Sequence, residues 1–94
     1  MATFLMFGNY STAAITEMSA ERTEKAVNLI KKYGGEVKAM YALLGAVDLV
    51  LIVELPDIDQ AIKASIALTK MCGISFRTAP AVTVEKFDKL TAEL

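Results

Sequence analysis

Three stretches of this chain are apolar on both sides of the strand they predict. Strand side chains alternate between two faces with a period of two. In residues 3–8, Phe4 and Met6 point one way and Leu5 and Phe7 the other. In the stretch from Asp48 to Leu55, Leu49, Leu51 and Val53 oppose Val50 and Ile52. In residues 36–44, Val37, Ala39, Tyr41 and Leu43 oppose Met40, Ala42 and Leu44, with Lys38 the exception. A sheet with one wet face alternates apolar and polar residues instead. These strands therefore predict a sheet that is covered on both sides.

The chain supplies two helices long enough to cover a sheet. Ser19 is placed to cap the first, with Glu21 and Glu24 in its opening turns, where negative charge complements the helix dipole. Thr23, Ala26, Val27, Ile30 and Tyr33 then recur at helical spacing until Gly34-Gly35 ends the run. Pro56 stops the third strand, and Asp57 with Gln60 forms a capping-box-like start for the second helix. Its predicted inner face is Ile58, Ala61, Ile62, Ser65, Leu68 (or Thr69) and Cys72, and Gly73 ends it. Residues 74–82 read as a fourth strand, in which Pro80 favours an edge position. Ala13 to Met18 suggests a short helical turn, and Thr83 a last short helix containing Phe87 and Leu90. The order strand, helix, strand, strand, helix, strand is the split βαβ pattern of α+β, ferredoxin-like folds: a four-stranded antiparallel sheet with two helices on one face. No linker or repeat divides the chain, so residues 1–94 form one domain.

Two helices cover one face only. The other would span roughly 19 by 17 Å, or ~300 Å² in projection. Burying it is worth on the order of 8 kcal/mol per subunit before association costs. Composition points the same way. Counted with glycine in place of tyrosine, about 56% of the 94 residues are apolar, against a usual ~45–50%. A chain this short hides only about 64% of its unfolded surface. The expectation is a homodimer, or a higher homo-oligomer, with sheets packed face to face. The alternative is that the terminal helix, Glu85 to Leu94, covers the face within one chain.

Charge and missing residues narrow the chemistry. Lys and Arg number 10 and Asp and Glu 11, a net charge of −1, without the basic footprint of a nucleic-acid binder. The one dense cationic spot, Lys31-Lys32, sits at a predicted helix end, where it complements the dipole. Histidine is absent, which removes the commonest general base, the serine- and cysteine-histidine dyads and most transition-metal sites. A single cysteine excludes an intrachain disulfide and a cysteine-rich zinc site, and Cys72 reads as a small buried hydrophobe. The glycines form caps and turns rather than a phosphate loop. No metal or cofactor is expected. Met1 to Tyr10 lacks a basic start and a cleavage site, and no run approaches the ~18–20 apolar residues of a membrane span. The expectation is a cytoplasmic protein with no membrane contact.

Six residues are candidates for a ligand site: Asn9, Tyr10, Tyr41, Gly45, Asp48 and Arg77. Asp48 either closes the hairpin turn by bonding local backbone amides or handles a ligand or proton. Six residues of strand separate it from Glu54, ~20 Å, so the two cannot form a catalytic pair within one chain. Arg77 either pairs with a carboxylate of a neighbouring subunit or takes a ligand carboxylate on its planar fork. Tyr10 and Tyr41 either pack in the core or an interface or line a polar-tipped pocket. Asn9 reads as a turn bond, and Arg22, beside Glu21 and Glu24, as a solvated helix charge.

At Gly45-Ala46-Val47-Asp48 the chain resembles the GYD domain family. Asn9 with Thr12, Ser19 with Arg22, Gly34-Gly35, Tyr41, Glu54-Leu55-Pro56-Asp57, Gly73, Arg77-Thr78 and Phe87 match that family in order. Val47 stands where the family places tyrosine, with Ala46 an inserted step, and Ala14 replaces a usual glycine. The resemblance implies a dimeric α+β barrel. The hairpin and Gly73 to Thr78 also resemble the effector-binding domains of leucine-responsive regulators, where small molecules such as amino acids bind at subunit interfaces. This chain has no helix-turn-helix segment, so that likeness implies a stand-alone version. The expected function is a non-enzymatic, oligomeric small-molecule-binding module with its site between subunits, near the Gly45–Asp48 hairpin and Arg77. The alternatives are a cofactor-independent oxygenase or isomerase, which needs a sizeable pocket between helices and sheet, and a structural or partner-binding subunit.

Overall fold

The computed structural model describes Met1–Leu94. Its elements are β1 (Ala2–Tyr10), α1 (Thr12–Thr16), α2 (Ala20–Lys32), β2 (Glu36–Ala42), β3 (Leu49–Leu55), α3 (Ile58–Cys72), β4 (Ile74–Ala81) and α4 (Val84–Ala92). The strands form one antiparallel sheet in the order β2-β3-β1-β4, the ferredoxin-like arrangement. Pro80 lies on the edge strand β4, where a missing N–H is tolerated.

The helices start and stop where local chemistry dictates. Ser19 accepts from Arg22 N, Asp57 from Gln60 N and Thr83 from Lys86 N, each satisfying an orphan donor of a first turn. Gly73 ends α3 at φ +68°, a left-handed cap that glycine takes without strain.

One face of the sheet carries the core. Phe4 and Met6 of β1 and Leu51, Val53 and Leu55 of β3 are buried beneath Ile30 of α2 and Ala61, Ala64 and Leu68 of α3. The buried face of α3 is rotated from the expected one. Ala61, Ala64, Leu68 and Cys72 point inward, while Ile58, Ile62 and Ile66 are more than half exposed. Alanine lets the helix settle close to the sheet. A 2.6 Å hydrogen bond between the Ser65 and Thr78 hydroxyls fixes that approach, so the larger isoleucines are turned out.

The opposite face has no helix on it. Its side chains form continuous cross-strand rows: Tyr41–Val50–Phe7–Arg77 and Ala39–Ile52–Leu5–Ala79. Leu5, Phe7, Val50 and Ile52 make an apolar centre. Lys38 and Glu54 lie toward one end, and Asn9 and Ser75 toward the other. Strict alternation would place Val37 on this face with Ala39. A bulge between Val37 and Ala39 instead puts Val37 and Met40 on the core side. The extra residue is Lys38, whose Nζ lies 3.7 Å from Glu36 and 3.8 Å from Glu54, relieving the like-charge cross-strand pair Glu36–Glu54.

The terminal helix does not cover this face. No residue of α4 is buried, and Val84, Phe87 and Leu90 remain 75%, 55% and 48% exposed. The chain measures 48 × 30 × 18 Å, two layers thick. Its accessible surface is 6186 Å², roughly 900 Å² more than the about 5,300 Å² of an average monomer of this size.

Candidate functional site

Four of the six candidate residues meet where β1 passes the β2–β3 hairpin. The last ladder pair between β1 and β3 is Gly8–Leu49, so Asn9 and Tyr10 outrun β3 and lack partners on that side. The hairpin supplies them. Asn9 Nδ2 donates to Ala46 O at 3.0 Å, and Tyr10 N donates to Asp48 Oδ2 at 3.0 Å. Asp48 N donates to Gly8 O at 2.9 Å, while Leu43 N donates to Asp48 O at 2.8 Å. Asp48 thus ties the hairpin to β1. Its carboxylate reaches across the sheet rather than bonding amides of its own turn, because the unpaired Tyr10 N–H is the needier donor. Gly45 sits in the exposed turn at φ +129°, with open space around it.

Tyr41 and Arg77 are not part of this junction. Both project from the open face, at opposite edges of the sheet, with Val50 and Phe7 between them. Three strand spacings, about 14 Å, separate their backbones. Asp48 and Glu54 flank β3 at opposite ends, and no three His, Cys, Asp or Glu side chains cluster.

A second feature lies on the core side. A cavity of about 60 Å³ opens between α2, α3 and the sheet, with Tyr10, Met18, Arg22, Met40, Cys72 and Phe76 among its walls. This volume is well below the ~300–1,000 Å³ of sites that enclose a drug-sized molecule. Cys72 is buried, as its apolar pattern predicts, and its thiol donates to Leu68 O at 2.8 Å. Burial pushes the Tyr10 phenol above its ordinary value of 10.0; Asp48 and Cys72 add to that and Arg22 opposes it.

Arg22 corrects the expectation of a solvated helix charge. Its side chain is 19% exposed and turns inward, donating from Nη1 to Ala14 O at 3.0 Å. The nearest carboxylate, Glu17, is 4.0 Å away and 74% exposed, while Glu21 pairs with Lys25. Its position was legible in principle. Arg22, Ala26, Leu29 and Ile30 lie at i, i+4, i+7 and i+8, so this arginine stands on the apolar stripe of α2.

The family model described as GYD domain matches residues 4–91. The chain belongs to the GYD domain family. In this GYD domain the Gly45–Asp48 hairpin meets the end of β1, with Val47 beside the acid that makes the tie. No curated protein matches it. Among solved structures it is similar to the Mycobacterium tuberculosis leucine response regulatory protein LrpA, with a TM-score of 0.58 and 10% sequence identity. The alignment covers 87% of this chain and 51% of that one, so the GYD domain spans about half the regulator's length. At that identity the likeness shows the fold. No helix of the domain is long and apolar enough to cross a membrane.

Proposed function

We propose that this GYD domain is a non-enzymatic, homo-oligomeric module that binds a small molecule at the boundary between its subunits. The observation that carries the reading is the open sheet face, with its apolar centre of Leu5, Phe7, Val50 and Ile52 inside a polar rim. That is the anatomy of a protein–protein interface. The surplus surface of roughly 900 Å² is close to the ~800 Å² each partner buries in a standard interface. A second copy of the same sheet is the occupant whose chemistry matches. The exposed stripe Ile58–Ile62–Ile66 on α3 offers a further contact for a higher oligomer.

Dimerisation also gives Tyr41 and Arg77 a common place. A two-fold axis between the sheets and parallel to the strands lays each β2 edge over the partner's β4 edge. Tyr41 of one copy then faces Arg77 of the other, next to hairpins tied down by Asp48. The fold shared with a leucine response regulatory protein supports an effector-binding role for such a boundary.

Native mass spectrometry and light scattering across a concentration series test the reading. A dimer or larger closed assembly is expected, with Phe7→Lys reducing it to a folded monomer. A wild-type chain that stays monomeric at high concentration would overturn it. Ligand libraries that never shift the melting temperature would sink the binding role while leaving the assembly intact.

A further inference from the structure

We propose that the cavity beneath the start of α2 binds a small organic carboxylate, gripped by the Arg22 guanidinium and the Tyr10 hydroxyl. This site is on the core side of the sheet, opposite the subunit contact, and does not depend on it. Arg22 is the only charged side chain among the cavity walls. A guanidinium cannot shed its proton, and a charge drawn into apolar surroundings is stable only when paired. Here the pairing is incomplete. One carbonyl accepts from Nη1, and the Glu17 carboxylate, at 4.0 Å, stands beyond hydrogen-bond distance. No side-chain nitrogen or oxygen is both buried and unpartnered, so the remaining donors of the fork open to solvent, from which an anion can reach them.

The cavity selects the kind of anion. Ten of its thirteen lining residues are hydrophobic, and about 60 Å³ is roughly the space of two water molecules. That accommodates a carboxylate head. A short apolar tail would leave past Met18, which is 52% exposed and carries a flexible thioether that can yield. One fixed positive charge and a planar fork suit a monoanion; the second charge of a phosphate dianion would meet no other cation in these walls. The side chain of Tyr10 lines the same space, and its bond to Asp48 is made through the backbone, so the hydroxyl is available. A phenol whose ordinary value is 10.0 is protonated at neutral pH, and burial only raises it, so the hydroxyl can donate to the second carboxylate oxygen. Glu17, 4.0 Å from Nη1, is the carboxylate near enough to repel an incoming one.

The test is a ¹⁵N NMR titration with butyrate as probe, n-butylamine as a control of like tail and opposite charge, and inorganic phosphate as the competing anion. Butyrate is expected to shift Arg22 Nε–H and the Tyr10 and Ser19 amides saturably, with n-butylamine and phosphate leaving them in place. Arg22→Lys should weaken binding about tenfold by losing the fork. Glu17→Gln, a change at an exposed position, should tighten it by roughly threefold, and it reports even where Arg22→Lys fails to fold. The Phe7→Lys variant should bind as the wild type does. Absence of saturable shifts, equal shifts with phosphate, or unchanged affinity in both Arg22→Lys and Glu17→Gln would overturn the proposal. Loss of binding in a folded Phe7→Lys monomer would also overturn it, while the subunit reading would stand.

Discussion

Leu51 and Ile52 are adjacent in β3 and nearly identical in chemistry. Leu51 is 1% exposed under the helices, while Ile52 is half-buried on a face that no part of the chain covers. The same contrast holds between Met6 and Phe7 in β1. Residue type therefore does not distinguish the two faces; only their coverage does. An apolar side chain on the helix face stabilises the fold of one chain. The same side chain on the open face contributes when a partner removes it from water. The two faces also differ in their polar groups. The open face keeps its charges at the rim, whereas the helix face admits one, Arg22, beside a cavity.

Paired truncations give the largest test of this contrast. Leu51→Ala should lower the unfolding free energy by about 2–5 kcal/mol at any protein concentration, through lost burial and the void left behind. Ile52→Ala should cost less than about 1 kcal/mol in dilute protein, with its main loss appearing as a lower melting temperature at high concentration. Chemical and thermal denaturation at two concentrations read both. Equal, concentration-independent losses would erase the distinction between the faces.

An intermediate effect is expected at the junction that joins the faces' ends. Asp48→Ala leaves the Tyr10 amide without its acceptor and should cost about 1–3 kcal/mol. Hydrogen exchange at Tyr10 should accelerate beyond the global change. Asp48→Asn, which keeps one carbonyl oxygen, should recover part of both. An unchanged exchange rate in Asp48→Ala would mean that the carboxylate is free for other work.

The elements were legible because each obeyed a local rule. Ser19, Asp57 and Gly73 mark helix ends through their own side chains or backbone freedom, and the short run of Leu49 to Val53, rich in branched residues and stopped by Pro56, reads as a strand. What escaped depended on contacts distant in sequence. The bulge at Lys38 is invisible to a period of two, yet one extra residue exchanges the face of Val37. The inner face of α3 was misread because hydrophobicity favours isoleucine, while close approach to the sheet favours Ala61 and Ala64. Asp48 bonds Tyr10, 38 residues away, where turn chemistry alone would keep its bond local. Glu21 and Glu24, the sequence neighbours that make Arg22 read as a solvated charge, point elsewhere on a helix. Among the candidate residues, the sequence named Asn9, Tyr10, Gly45 and Asp48 singly; that the first two meet the hairpin, and that Tyr41 and Arg77 stand at opposite edges, follows only from the strand pairing.

The smallest expected effect belongs to Tyr10, the residue whose backbone serves the hairpin and whose ring faces the cavity. Its phenol is raised above 10.0 chiefly by burial, so the folded protein holds this proton more tightly than the unfolded chain does. The sign follows from linkage. The contribution to stability is fully present below pH 10.0 and is lost as pH rises through the folded value, because the unfolded chain releases its proton first. Tyr10→Phe cannot lose what it does not carry, so its stability should fall less steeply above pH 10.0 than that of the wild type. Urea titrations from neutral pH into that range give the two slopes, and lysine deprotonation, common to both proteins, cancels in their difference. The difference is small because Tyr10 is only partly buried, and solvent screens much of the penalty. Saturating butyrate should enlarge it, since a carboxylate bound beside the phenol disfavours the phenolate further. Parallel slopes with and without butyrate would place the Tyr10 ring in ordinary solvent and remove it from the cavity's chemistry.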